Sequence, residues 1–391
     1  MSQTDLTLRY GTNPHQTPAR VFMNEGRVPF TVLQGAPGYI NLLDAMNAWQ
    51  LVRELKQATW LAAAASFKHV SPAGAAVAVP LSDALRQSYA VGTADLSPLA
   101  TAYVRARGAD RQASFGDFAA LSDVVDAATA QVLRREVSDG VIAPGFTPEA
   151  LAILQKKQGG KYLLLEMDPD YTPPSTETRE VFGVSFQQTR NETPITTELL
   201  QERVTARKDL SPEAERDLLV ALIAIKYTQS NSVGLARDGQ MIGIGAGQQS
   251  RILCTRLACG KADQWYLRQH PKVLALPFRE KLSRPERDNG IDLYLLDNLS
   301  PAEEAAWLPL FDRTPERLTP EEKSEWLAGF SGVSLGSDGF IPFRDNIDRA
   351  SQSGVSYIAQ PGHSLRDDDI IAACNEYDMA MSFTGLRLFH H

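Results

Sequence analysis

Apolar positions along the chain change period several times, and each change predicts an element. Leu61-Ala62-Ala63-Ala64-Ala65 is an unbroken apolar run that stops at Ser66-Phe67-Lys68-His69, with Pro72-Ala73-Gly74 just beyond. A short apolar run closed by turn residues reads as a buried strand, here delivering two titratable side chains to its carboxyl end. After the loop Gly35-Ala36-Pro37-Gly38, apolar residues from Leu42 to Val52 recur at helical spacing. Helices are likewise predicted over residues 83–89, 148–157, 212–225, 252–257 and 367–375, and around Val124, Val125 and Ala128. Strands are predicted within 137–145, 181–186 and 355–362, and as a closing pair over 379–389. Three prolines within residues 167–176 exclude regular structure there and mark a connector between two lobes. The charged, proline-punctuated stretch 284–327 reads as helical insertions on the surface.

An internal echo crosses that connector. The run before Lys68 leads to Lys, a turn, Gly74 and a further apolar stretch; the run before Lys226 leads to Lys, polar residues and Val233-Gly234-Leu235. Read this way, each lobe contains strand, Lys and turn, and the two lobes share one architecture.

Composition narrows the function classes. The 391 residues are 43% hydrophobic and 22% charged, ordinary for a globular protein of two or three domains. A net charge of −8 argues against a general nucleic-acid binder and gives no reason to expect a membrane surface. Pocket charge is set locally by a few Arg and Lys, so anionic small ligands stay open. No apolar run nears the roughly 20 residues of a membrane span. Met1-Ser2-Gln3-Thr4-Asp5 has no basic-then-apolar secretory pattern. Cys254, Cys259 and Cys374 form neither a disulfide ladder nor a paired zinc pattern, which fits a reducing cytoplasm.

Several segments carry candidate chemistry. Lys68 and His69 are suited to proton transfer if they face a ligand at a strand end. Gly243-Ile244-Gly245-Ala246-Gly247-Gln248-Gln249-Ser250-Arg251 follows a strand and opens a helix. A dinucleotide fingerprint needs glycine where Gln248 stands, leaving a tight structural turn or an anion or polar-ring site at Ser250 and Arg251. Phe340, Pro342 and Phe343 beside Arg344, Asp345 and Asn346 suit a flat heterocycle, or else form a loop with an internal ion pair. Arg9 and Arg387, each beside an aromatic or apolar neighbour, are of the type that grips phosphate.

Nine strings together resemble one family: LRYGTNPHQ from Leu8, GAPGYINLLDAMNAWQLV from Gly35, SFKHVSPAGAA from Ser66, SFGDFAALSD from Ser114, REVSDGVIAPG from Arg135, KYTQSNSV from Lys226, GIGAGQQSR from Gly243, DGFIPFRDN from Asp338 and LRLFHH from Leu386. They follow, in order, the AICAR transformylase domain of the bifunctional AICAR transformylase/IMP cyclohydrolase family. The resemblance implies an α/β fold of two cytidine-deaminase-like lobes, residues 1–170 and 177–391, with mixed sheets flanked by helices. It implies formyl transfer from 10-formyltetrahydrofolate, as co-substrate, to the 5-amino group of AICAR in purine synthesis. Lys68 and His69 would be the catalytic pair, with Asn231 orienting the formyl group. Arg9, Tyr10, Asn41, Phe115, Gly116, Asp139 and Arg387 would hold AICAR. Ser250, Arg251, Ile252, Asn289, Phe340, Pro342, Asp345 and Asn346 would line the folate side. A monovalent cation, K+, would lie near Thr228, Asp338 and His390, with no catalytic metal. The protein would be a cytoplasmic homodimer with shared active sites.

The chain also departs from the family pattern. It starts at the transformylase boundary, so ring closure to IMP is expected from a separate protein. Gln112 and Ala113 stand where Met and Ser are common, and Gly339 where Ala is common. Competing readings are a Schiff-base or pyridoxal-phosphate enzyme using Lys68, a non-catalytic AICAR or folate sensor of the same fold, and a transformylase using formate and ATP. The last is weakened by the lack of a P-loop motif.

Overall fold

The computed structural model describes residues 5–24 and 26–391. The secretory reading of residues 1–4 thus lies outside the described residues. β1 (Asp5–Leu8) and β2 (Ala19–Phe22) pair as a small antiparallel ribbon, and β3 (Phe30–Gln34) follows. Then come α1 (Tyr39–Thr59), β4 (Ala63–Lys68), β5 (Ser71–Val77), α2 (Asp83–Ser88), α3 (Pro98–Gly108) and β6 (Asp117–Leu121). α4 (Ala127–Arg135), β7 (Ser138–Ala143), α5 (Pro148–Leu154) and β8 (Leu163–Met167) complete the first half. A hairpin of β9 (Thr176–Val181) and β10 (Val184–Thr189) leads to the second half. It holds α6 (Pro212–Lys226), β11 (Val233–Arg237), β12 (Gln240–Gly245), α7 (Arg251–Leu267), α8 (Pro271–Leu274), α9 (Arg284–Leu295), α10 (Pro301–Trp307) and α11 (Pro320–Ala328). β13 (Val333–Ser337), α12 (Asp345–Ser351), β14 (Val355–Gln360), α13 (Asp367–Glu376) and β15 (Ala380–Phe383) close it.

Eleven strands form one mixed sheet in the order β15-β14-β13-β11-β12-β5-β4-β6-β7-β8-β3. The two halves repeat one plan. In each, a helix leads into an antiparallel hairpin, β4–β5 or β11–β12. A third strand, β6 or β13, then pairs antiparallel with the first strand of the hairpin, and two parallel strands follow. The halves join edge to edge through β5 and β12, where Gln240 pairs with Ala76.

The internal echo is therefore real in architecture but wrong in its residues. Lys68 ends a strand, whereas Lys226 ends helix α6 and bonds both Glu54 oxygens of α1 at 2.9 Å. The partner of Lys68 in the repeat is instead the end of β11. Smaller expectations also shift, and the strand expected over 181–186 is broken by the Phe182-Gly183 turn between β9 and β10. The helix placed around Val124 begins at Ala127, because Asp126 caps it by accepting from Thr129 N. The closing strand pair is the single strand β15.

Both faces of the sheet are covered, which is why its strands read as nearly continuous apolar runs. Along β4, Ala63, Ala65 and Phe67 join the core beneath α1 and α6, while Ala64 faces the core that contains α3 residues. Glycines let helices press onto this sheet. A Cβ on Gly74 would meet Ala106 O at 2.1 Å, and one on Gly243 would meet Ala258 O at 2.0 Å. The GIGAG segment thus serves close packing of α7 on β12, in the way Gly74 serves α3 on β5. The insertion α8–α11 has a small core of its own, including Tyr294, Trp307 and Phe311.

Candidate active site

The Lys68-His69 pair sits on a hairpin turn of only two residues. Lys68 pairs with Ser71, so His69 and Val70 alone reverse the chain, at φ of 55° and 60°. Pro72 and Gly74, read from sequence as the turn, lie within β5. Two positive φ angles in a two-residue loop are the type I′ geometry, which favours Asn-Gly or Asp-Gly. A β-branched residue there is strained. Val70 N donates to Asp44 Oδ1 of α1 at 2.6 Å. Lys68 is half-buried and its Nζ donates to the Phe115 carbonyl at 2.5 Å, while His69 is exposed.

The loop carrying Phe115 and Gly116 rests on a buried ionic network. Gly116 adopts φ of 73° and donates to Val137 O at 3.0 Å. Below it, Arg107 pairs with Asp117 at 2.8 Å and with Glu136 at 3.0 Å. Ser66 Oγ donates to Asp117 at 2.6 Å. Asp139, at the head of β7, lies near Asn41 and within the field of Lys68. Desolvation, then the Asp117 charge, push the Asp139 carboxyl up. Asn41 Oδ1 also accepts from Gly38 N at 3.0 Å and so caps α1. Arg9, Tyr10, Phe30, Pro37, Gly38 and Asn41 are among the residues lining a cavity of about 680 Å³. Arg9, Tyr10 and Asn41, three of the residues expected to hold a nucleotide, thus share one cavity.

A second group gathers in the other half. Asn231 Oδ1 accepts from Arg251 Nη2 at 2.9 Å, and its Nδ2 donates to Gln248 O at 3.0 Å. Arg251 is buried and pairs with Asp338, which is fully buried. Its guanidinium faces inward, toward Asn231 and Asp338. Asp338 Oδ2 accepts from Ser230 Oγ at 2.6 Å, Ser232 N at 2.9 Å and Ser232 Oγ at 3.0 Å. Its oxygens are filled by protein donors, and Thr228 Oγ1 donates to Ala224 O at 2.8 Å. Burial pushes the His390 imidazole below its ordinary value.

Asn346, expected on the folate side, is buried, with its amide spent on Thr255, Phe343 O and Asp345. Phe340 and Asp345 are exposed and Pro342, Ser250 and Ile252 half-exposed. Arg387 lies beside Phe389, and Leu388 N donates to Asp338 O at 2.8 Å, which ties this tail to the second group. Asn289 is approached by Gln112 Nε2 at 3.4 Å, which ties it to the loop leading to Phe115. A Cβ on Gly339 would stand 2.6 Å from Arg251 Nη2, so glycine here lets that guanidinium sit close. Among the described residues no group of three or more His, Cys, Asp or Glu could hold a metal ion. None of the described helices is long and apolar enough to cross a membrane.

Sequence reasoning missed Asp44. Its signal was a carboxylate on the apolar stripe of α1, in step with Ala48, Leu51 and Leu55.

The profile of the AICARFT/IMPCHase bienzyme family matches residues 1–261. Two relatives carry the name bifunctional purine biosynthesis protein PurH. That of Roseobacter denitrificans is 31% identical over 390 residues, covering 98% of this chain and 60% of the relative. That of Rhizobium meliloti is 30% identical over 388 residues, covering 98% of this chain and 58% of the relative. The chain therefore spans about 60% of the length of the relatives it matches.

Proposed function

Because this chain belongs to the AICARFT/IMPCHase bienzyme family, we propose that it transfers a formyl group from 10-formyltetrahydrofolate to the 5-amino group of AICAR. The observation that carries the proposal is the pairing of Lys68 and His69 on one strained turn, with the Lys68 ammonium seated on Phe115 O. The repeated halves are read as the two cytidine-deaminase-like units of the family, with boundaries at 1–170 and 177–391.

The AICAR amine is a weak nucleophile because its lone pair is shared with the imidazole and carboxamide. His69 takes the amine proton as the new carbon–nitrogen bond forms, a contribution of roughly 10²–10⁴-fold for a well-placed base. The formyl oxygen becomes an oxyanion, stabilised by the Lys68 ammonium and by a hydrogen bond from Asn231. The bond from the formyl carbon to the folate nitrogen then breaks, and Lys68 delivers a proton to that nitrogen. Holding both substrates in register supplies much of the remaining acceleration. Arg9 and Tyr10 grip the nucleotide phosphate at the cavity, and Asn41 and Asp139 meet the ribose.

Among the described residues no hydrogen bond or ion pair joins the Lys68 group directly to the Asn231 group. Following the family resemblance, the proposal includes a homodimer whose active sites are shared between copies. The relatives' name is bifunctional, and we assign residues 1–391 the formyl transfer step without ring closure to IMP. Incubation with AICAR and 10-formyltetrahydrofolate, with products identified by mass, tests both parts. FAICAR without IMP is expected; no FAICAR sinks the activity, and IMP sinks the assignment of one step.

A further inference from the structure

The molecule contains one clamp twice. Asp44 and Asp217 occupy the same place in α1 and α6, each five residues past the first residue of its helix. Both are buried, at 5% and 3% exposure, and both turn a carboxylate to the hairpin that follows. Asp217 accepts from both amides of its turn, Asp238 N at 2.7 Å and Gly239 N at 2.6 Å. Asp44 accepts from Val70 N at 2.6 Å. The turns correspond: Arg237 pairs with Gln240 across Asp238-Gly239 as Lys68 pairs with Ser71 across His69-Val70, and all four turn residues have positive φ.

Their sequences do not correspond. Asp-Gly is what this geometry favours, whereas His-Val resists it. A turn that its own residues disfavour needs an outside partner to stay populated. Among the described residues, Asp44 is the side chain hydrogen-bonded to the backbone of this turn. We propose that Asp44 is a positioning residue: its carboxylate clamps the His69-Val70 turn and thereby fixes where Lys68 and His69 present their side chains. This rests on the reading of Lys68 and His69 as the catalytic pair.

A carboxylate in this place works against stability. Burial raises Asp44 from 3.8 to about 6; the Val70 amide and the His69 charge oppose the rise, and Asp139 adds to it. His69 on the turn and Asp139 on β7 are the charged groups that face it, while Lys226 on the adjoining α6 is taken up by Glu54. Since the folded value lies above the unfolded one, the native state binds the proton more tightly. The contribution is full below the unfolded value and is lost as pH rises through about 6. In neutral solution the ionised Asp44 is thus a burden to the fold that a neutral isostere would relieve.

The test compares Asp44→Ala, Asp44→Asn and Asp217→Asn in the full chain. Asp44→Ala is expected to lower kcat about 10²-fold, the cost of a small misplacement, with KM for AICAR changed less than about threefold. Asp44→Asn keeps an acceptor for Val70 without the charge, and its kcat is expected between those of Asp44→Ala and the unaltered protein. It is also expected to melt above the unaltered protein at about pH 8, with the gain vanishing at about pH 5. Asp217→Asn is expected to change the melting temperature and leave kcat within about twofold. A kcat for Asp44→Ala within about twofold of the unaltered protein overturns the clamp, as does a loss confined to KM. If Asp44→Ala does not fold, Asp44→Asn decides: full kcat with a melting difference that ignores pH overturns it. An unaltered protein that forms no FAICAR overturns the functional reading and the clamp together; an active one with indifferent Asp44 variants overturns the clamp alone.

Discussion

At the scale of single residues, the proposed site is a turn whose residues, His69 and Val70, are not the ones its positive φ angles favour. His69→Ala and Lys68→Ala should each lower kcat by roughly 10²–10⁴-fold, the range for removing a positioned acid or base. Tetrahydrofolate absorbance reads the rate, and calorimetry should find AICAR binding largely intact; near-normal turnover in either variant would remove these side chains from the mechanism. Val70 adopts φ of 60°, a region that disfavours any residue with a Cβ. Val70→Gly should therefore raise stability by about 1 kcal/mol in urea titration. An unchanged or lowered midpoint would mean that the positive φ is not felt as strain. None of this strain was legible beforehand, because Pro72 and Gly74 are the stronger turn formers by type and the reversal falls before them. The Lys-His pair itself was legible, since an apolar run closing on two titratable groups is a local signal.

At the scale of elements, an ion pair at the edge of their shared apolar core links α1 to α6. Lys226 Nζ lies 2.9 Å from each Glu54 oxygen, and Tyr227 Oη donates to Glu54 at 2.7 Å. Lys226→Ala leaves that carboxylate uncompensated in the interior and should cost about 3–5 kcal/mol by chemical denaturation. A cost below about 1 kcal/mol would class it with exposed pairs. Helix and strand identities were largely legible, because both periods are written locally in the chain. Their pairing was not. Lys226 resembled Lys68 in following an apolar run, yet the run over 212–225 is helix, as its spacing predicts, and the run before Lys68 is strand. The glycines of residues 243–247 left a structural turn and a ligand loop both open, and Gly243 and Gly245 admit α7 to within contact of β12. Close approach between distant elements leaves no signature in a window of ten residues.

At the scale of the whole molecule, the two halves share a sheet edge. Val77 N donates to Gly239 O at 2.8 Å, and Arg105 of the first half bonds Gln240 of the second at 3.1 Å. Calorimetry should accordingly record one cooperative transition for residues 1–391, with calorimetric and van't Hoff enthalpies in agreement. Two resolved transitions would mean that each half is a separate folding unit. The repeat has a further use. The Asp238-Gly239 turn is a twin of the His69-Val70 turn with residues suited to its geometry, held in the same polypeptide under the same solvent and temperature. Any alteration made at His69 or Val70 therefore comes with its own internal reference, and the difference between the twins measures what a His-Val sequence costs this backbone.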